Sequence, residues 1–272
     1  MSDPAEPAVL VERDGHVVTV TLNRPHKKNA FDPEVLVRLC DTWDMIDADD
    51  DIRVAILTGA AGDFSAGADL DRLVGVLLSS RPAENPYEER IRQDPSLIYK
   101  GFLKDYRLAT PIIAAIEGAC YAGGIEILQS LDIRVAAEGA RIAVSEVQRG
   151  LFPMSASTIR LPRQIPWTVA SEMLLTGEPI SGRRAYEVGL VGHVVPDGTA
   201  LAKAREIADR IARNGPLAVK NIKASILAAD GVPETEAFKR EMELGIQVMS
   251  SQDAKEGPRA FLEKREPNFT GQ

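Results

Sequence analysis

Twice in this chain a short run that is apolar at nearly every position ends in a turn of small residues and passes into a helical pattern. The first run, residues 54–58, reads Val-Ala-Ile-Leu-Thr and leads to the turn Phe64-Ser65-Ala66-Gly67-Ala68-Asp69-Leu70. The second, residues 111–117, reads Pro-Ile-Ile-Ala-Ala-Ile-Glu and leads through Gly118, Ala119, Cys120, Tyr121, Ala122, Gly123 and Gly124 to Ile125 and Glu126. A strand without polar alternation is buried on both faces, so layers must cover its sheet above and below. Helices recurring between such strands give crossover connections, and the expected class is an α/β fold.

The remaining pattern fits that frame. Residues 9–13 and 17–22 are β-branched runs separated by Asp14-Gly15, a hairpin signal. Residues 34–47 carry apolar positions Val35, Leu39 and Ile46 behind Asp32-Pro33, a helix with Asp32 as N-cap and Pro33 in its first turn. A short helix is expected over 69–80, a polar loop over 81–94, an amphipathic helix over 97–108, and a helix from Glu126 to Leu131. Strands are expected over 133–136 and 141–144. The last part turns helical, over 200–229, 234–249 and 255–264. We divide the chain into an α/β core with an N-terminal tail, residues 1–199, and a helical oligomerisation region, residues 200–272.

Composition narrows the function. With 272 residues the chain has room for one large domain. A net charge of -8 disfavours a general nucleic-acid binder. No apolar run approaches the ~18 residues of a membrane span, and the acidic, Pro-containing start lacks a signal-peptide core. Two cysteines, Cys40 and Cys120, outside any CxxC spacing, point to a reducing cytoplasm. His16, His26 and His193 show no metal-ligand spacing, so no metal is expected. Neither a G-x-S-x-G elbow nor a G-x-G-x-x-G after the first strand is present.

The two turns are where chemistry belongs. Small residues let a backbone approach a ligand with its N–H groups free, and two N–H groups aimed at one point can hold an oxyanion. Glu126 lies about one helical turn past Gly123-Gly124 among Ile125, Ile127 and Leu128; burial there raises a carboxyl pKa, which suits proton transfer. Glu146 follows in Ala143-Val144-Ser145-Glu146, where a surface pairing with Arg149 competes with a catalytic role. The basic group Arg24, His26, Lys27 and Lys28 reads either as a solvated loop or as a phosphate contact.

With these elements in order, the chain resembles the crotonase, or enoyl-CoA hydratase/isomerase, family over nearly its whole length. The resemblance rests on Asn23-Arg24-Pro25 with Asn29-Ala30, on the two turns, on Glu146, Gly150 and Pro153, on Leu174-Leu175-Thr176-Gly177, on residues 185–191, and on residues 257–265. It implies a crotonase-like repeated ββα core. It implies an enoyl-CoA hydratase that adds water to a trans-2-enoyl-CoA to give 3-hydroxyacyl-CoA, in fatty-acid or sterol side-chain β-oxidation. Ala66 and Gly123 would supply the oxyanion N–H groups, and Glu126 and Glu146 would be the catalytic pair. Ala66, Gly67, Ala68, Asp69 and Gly123 would lie along the acyl-CoA, with Lys28 near its CoA portion. Phe261 and Lys264 would reach the ligand of a neighbouring subunit in a homotrimer or homohexamer. No cofactor is implied beyond the coenzyme A of the substrate. The alternatives are another acyl-CoA reaction of the family, isomerisation or dehydration, or a non-catalytic CoA-binding protein; two glutamates favour hydration. The chain departs from the family in Met154-Ser155-Ala156-Ser157, where a Gly-rich run is common. Residues 73–110 are also longer than in short-chain hydratases. Both departures lead us to expect medium, long or ring-bearing acyl groups.

Overall fold

The structure is a computed structural model that describes residues 6–75 and 82–272. In chain order, strands β1 (Val9–Asp14) and β2 (Val17–Leu22) precede helix α1 (Pro33–Ala48) and strand β3 (Val54–Gly59). Short helices α2 (Pro86–Gln93) and α3 (Ser96–Gly101) lead to β4 (Ile112–Ile116), β5 (Ala119–Tyr121) and α4 (Gly123–Leu128). Then come β6 (Ile133–Ala137), β7 (Arg141–Ala143), α5 (Ser157–Gln164), α6 (Trp167–Thr176), β8 (Ile180–Ser181), α7 (Gly182–Glu187) and β9 (His193–Val195). Four helices close the chain: α8 (Ala200–Ala212), α9 (Pro216–Ala228), α10 (Glu234–Met249) and α11 (Asp253–Glu263).

Among the described residues, six strands form one sheet in the order β1-β2-β3-β4-β6-β9. The hairpin is antiparallel and every later pairing in this sheet is parallel. A smaller sheet, β5-β7-β8, stands beside it. The apolar runs of β3 and β4 conceal a period of two. Ala55, Leu57, Ala114 and Ile116 face the cluster built with Leu36, Leu39 and Trp43 of α1. Val54, Ile56, Ile113 and Ala115 face Ala200, Ala204, Ile207 and Ala208 of α8. The division expected at residue 199 is therefore redrawn by packing: α8 is the second cover of the sheet, and its alanines let it lie close. The more loosely attached helices begin at Pro216, after Asn214-Gly215 interrupts the helical run expected over 200–229. They are tied back by Lys223, whose Nζ donates to Asp132 Oδ2 at 2.7 Å and to the Thr110 carbonyl at 3.0 Å.

Other boundaries moved for local reasons. The loop expected over 81–94 contains α2, capped by Asn85, whose Oδ1 accepts from the Tyr87 and Glu88 N–H groups. The helix expected over 97–108 ends at Gly101, and Leu103 takes a left-handed backbone at φ 53°. Of the helix expected over 69–80, the described residues are helical from Leu70 to Gly75 and open as a widened turn, Leu70–Val74, with Asp69 accepting from the Arg72 N–H at 3.1 Å. Residues 76–80 of that segment, Arg81, and the first five residues of the tail lie outside the described residues.

Helix α1 begins as its sequence requires, with the Asp32 carboxylate accepting from the Val35 N–H at 2.9 Å. The same carboxylate lies 3.3 Å from Arg24 Nε. Asp32→Ala removes both contacts and should lower unfolding free energy by about 1–2 kcal/mol. Urea denaturation with an unchanged m-value checks it; a midpoint equal to the parent's would show that the cap is dispensable.

Candidate active site

The two small-residue turns meet. Ser65 N–H donates to the Ala119 carbonyl at 2.8 Å, and Tyr121 N–H donates back to the Ser65 carbonyl at 2.9 Å. Gly67 takes φ +92°, and a Cβ there would lie 2.8 Å from the Tyr121 carbonyl oxygen and 3.1 Å from the Gly123 nitrogen. The two backbones thus approach as closely as a glycine permits. Gly123 is equally confined, since a Cβ on it would come within 2.9 Å of the Phe102 ring. Phe102 packs edge-on against Phe31, with centroids 4.9 Å apart, and that pair floors the junction.

Accounting for the N–H groups of the first turn corrects one expectation. Ala66 N–H donates to the Lys28 carbonyl at 2.8 Å, so it is committed within the fold. Gly67 N–H donates to Ser65 Oγ at 3.1 Å, and Asp69 N–H to the Phe31 carbonyl at 2.8 Å. Ala68 N–H, between these two, has no acceptor among the described residues, and neither does Leu70 N–H where the helical turn begins. The cause is the left-handed φ of Lys28, 48°, which brings its carbonyl onto Ala66, while Gly67 turns the chain before Ala68. In the second turn Gly123 N–H, at the first position of α4, likewise has no acceptor among the described residues. Ala68 and Gly123 are thus free N–H groups on the two facing turns.

Glu126 sits in the first turn of α4 and is only 5% exposed. Its Oε1 accepts from the Ser155 N–H at 2.6 Å. Burial, followed by the charge of Glu146, pushes its carboxyl up to about 7, against hydrogen bonds from Ser155 and from the Ser157 backbone. Glu146 opens a short 3-10 turn, Glu146–Arg149. Its Oε2 is buried with no hydrogen-bond partner among the described residues, and burial raises its pKa as well. Arg149 points to the Ser145 carbonyl at 3.4 Å, so the surface ion pair weighed for Glu146 is not formed. Two carboxyls held above the usual range, with the charge of Glu146 acting on Glu126, are suited to proton transfer near neutral pH.

The other expected residues divide. Asp69 is not available to a ligand: burial pushes it up, but the Arg24 hydrogen bond, the Arg72 N–H and the Arg24 charge outweigh that and hold it below its ordinary pKa. Arg24 lies buried between Asp32 and Asp69 and braces the first turn. The Lys28 side chain is 67% exposed and reaches Asp63 at 3.7 Å, which leaves its ammonium accessible beside the site. Phe261 is 83% exposed on α11, and Lys264 ends that helix in a left-handed conformation; α11 packs on α10, apart from the elements that carry the glutamates. Sequence reasoning missed Ser155 and Ser157, whose segment reads only as a wall until its N–H groups are seen at Glu126. Among the described residues no cluster of three His, Cys, Asp or Glu side chains could hold a metal.

The comparisons agree with this geometry. The sequence model for the enoyl-CoA hydratase/isomerase family matches residues 12–272. Enoyl-CoA hydratase EchA19 of Mycobacterium tuberculosis is 51% identical over 263 residues, covering 97% of this chain and 96% of its own. (E)-Benzylidenesuccinyl-CoA hydratase of Thauera aromatica is 37% identical, covering 97% of this chain and 99% of its own. The crystal structure of an enoyl-CoA hydratase from Mycobacterium tuberculosis superposes with a TM-score of 0.87 at 38% identity, over 98% of this chain and all of the other. The α/β core is accordingly the crotonase fold, and the chain belongs to the enoyl-CoA hydratase/isomerase family.

Proposed function

We propose that this protein is an enoyl-CoA hydratase that adds water across C2=C3 of a trans-2-enoyl-CoA. The observation that carries the reading is the pair Glu126 and Glu146, both with raised pKa, beside the free N–H groups of Ala68 and Gly123. The thioester oxygen accepts from those two N–H groups, which draws electron density from C3. Glu126 takes a proton from water as its oxygen bonds to C3. Glu146 gives a proton to C2, and the enolate charge returns from the thioester oxygen. The balance is one water added, with a 3-hydroxyacyl-CoA released and both carboxyls reset by proton exchange. Every step uses backbone N–H and carboxyl groups, so the reading calls on no cofactor beyond the coenzyme A of the substrate. The exposed ammonium of Lys28 supports a contact with a CoA phosphate. Two free, buried thiols, Cys40 and Cys120, suit a reducing cytoplasm.

For the acyl group we infer a preference for chains longer than four carbons. Met154 is more than half exposed next to Ser155, which touches Glu126, and a methionine adapts to irregular apolar surface. Each buried methylene adds about 0.8 kcal/mol. Loss of absorbance of the conjugated thioester over a series from crotonyl-CoA upward tests both points. Rising kcat/KM with length is expected; no loss on any member rejects hydration, and highest efficiency at four carbons rejects the size preference. A β-oxidation sequence for fatty or sterol side chains is the setting such a substrate implies.

We further infer a homotrimer or a hexamer of two trimers. Ile222 and Ile226 of α9 and Met249 of α10 are exposed around an apolar groove of about 340 Å³, and Met242 and Ile246 of α10 are exposed as well. Contiguous apolar surface of this kind is ordinarily covered. Light scattering at micromolar concentration should give a mass at least three times that of the chain; a fully active monomer would refute the arrangement.

A further inference from the structure

Lys28 and Asn29 are consecutive residues with left-handed backbones, at φ 48° and 54°, and they present successive carbonyls to the first turn. The Lys28 carbonyl accepts from the Ala66 N–H at 2.8 Å, and the Asn29 carbonyl accepts from the Ser65 hydroxyl at 2.8 Å. Asn29 is anchored in its own right: Oδ1 accepts from the Arg24 N–H at 3.0 Å, and Nδ2 donates to the carbonyls of Ala60 and Asp63 at 2.9 and 2.7 Å. Ser65 is fully buried, and its Oγ also accepts from the Gly67 N–H at 3.1 Å. A carbonyl can only accept and an N–H can only donate, so the hydroxyl gives its one hydrogen to Asn29 and a lone pair to Gly67. Ser65 also packs on the second turn, where a Cβ on Gly124 would lie 3.3 Å from the Ser65 Cβ.

These bonds meet at the residue that aims Ala68. Gly67 stands at φ +92°, and a glycine has no side chain to hold it there. Its conformation is set from outside: Ser65 Oγ takes its N–H, and the Phe31 N–H donates to its carbonyl at 2.8 Å. The peptide that follows is planar and trans, so the Ala68 N–H points opposite to the Gly67 carbonyl, away from Phe31. We propose that Ser65 is a positioning residue for the oxyanion site, its hydroxyl linking the Gly67 N–H to the Asn29 carbonyl and so aiming the Ala68 N–H at the thioester oxygen. The inference rests on the hydratase reading and assigns a role to the side chain itself. The Ser65 backbone joins the two turns through Ala119 and Tyr121 and would do so with any side chain, whereas the hydroxyl is what fixes Gly67.

A coloured thioester reads that aim without turnover. In para-dimethylaminocinnamoyl-CoA the amine pushes charge toward the thioester oxygen on excitation, so hydrogen-bond donors at that oxygen move the absorption to longer wavelength. The parent protein should shift this probe to the red. Ser65→Ala should keep less than half of the shift while binding the probe within a few-fold of the parent. It should also lower kcat on an enoyl-CoA by about tenfold or more, with KM within about threefold, since full loss of one oxyanion donor costs about 10²–10³. Thr58→Val is the control: Thr58 Oγ1 is likewise buried, but it donates to the Ala115 carbonyl at 3.0 Å within the sheet. That variant should lose comparable stability and keep both the shift and kcat. A parental red shift and kcat in Ser65→Ala, or an equal loss of both in Thr58→Val, would overturn the proposal, whatever the Tm values. Ser65→Cys, whose thiol bonds more weakly, should lie between parent and Ser65→Ala, and parental values in it overturn the proposal where Ser65→Ala does not fold. Parent protein that leaves the probe unshifted, or hydrates no enoyl-CoA, would instead remove the reading on which the proposal rests, so the two failures are separable.

Discussion

Glu126→Gln should lower kcat by about 10²–10⁴ while leaving CoA-ester binding within a few-fold, because the amide keeps the shape of the side chain and cannot take a proton from water. Glu146→Gln should act in the same direction through the proton to C2. The Glu126 variant should also be more stable than its parent in alkaline solution, and the direction is fixed by linkage. The carboxyl titrates at about 7 in the native protein against 4.5 for the free side chain. Across that interval the unfolded chain has released a proton that the native chain retains. Native stability is therefore fully present below about 4.5, falls as pH rises through 7 and stays lower beyond it. An amide that never ionises avoids this loss, so Glu126→Gln should gain on the order of 2 kcal/mol at pH 8 relative to its difference at pH 5. Steady-state kinetics with urea denaturation at both pH values checks the pair of effects. Near-parental turnover would contradict the proton-transfer role, and a pH-independent stability difference would contradict the buried ionisation.

Gly67→Ala should abolish most of the remaining catalysis by a different route. The added Cβ would come within 2.6 Å of the Ala122 Cβ and 2.8 Å of the Tyr121 carbonyl oxygen, distances at which backbone must move. The move separates the turn that carries Ala68 N–H from the turn that carries Gly123 N–H. Loss of one oxyanion donor is worth about 10²–10³ in kcat. Gly62→Ala is the matched control: Gly62 also has a positive φ, +84°, but a Cβ there meets nothing within 4 Å. Both variants should lose stability through backbone strain, about 1–3 kcal/mol, and only Gly67→Ala should lose kcat by two orders of magnitude. Equal kcat values for the two would show that the junction of the turns is not the oxyanion site.

What the sequence discloses and what it conceals have physical causes. The strands β3 and β4 are legible because burial on both faces leaves no polar residue in them, and α1 because Asp32-Pro33 is a capping signal that acts locally. Glu126 and Glu146 are legible as a pair through the spacing of the resemblance, and the structure supplies the cause of their raised pKa values, which is burial. The choice between Ala66 and Ala68 is not legible. It depends on the left-handed backbone of Lys28, a residue whose side chain gives no sign of that conformation, and on where its carbonyl then points. The helix α2 is hidden by its polar composition; the cap from Asn85 and packing on α1 set it, and periodicity is a poor guide over eight residues. The role of Ser155 is hidden because an N–H bond to a carboxylate 29 residues away leaves no trace in residue type. Likewise α8 reads as part of a helical tail, and only its run of alanines at the sheet-facing positions separates it from α9, whose apolar residues Ile222 and Ile226 remain exposed.

The most direct test of the account is the fate of water oxygen during turnover of a trans-2-enoyl-CoA in H₂¹⁸O. The account predicts a 3-hydroxyacyl-CoA heavier by two mass units, with the label on C3, formed by the parent protein and suppressed together with absorbance loss in Glu126→Gln. An isomerised enoyl-CoA without added mass, or a labelled product formed equally well by Glu126→Gln, would contradict it.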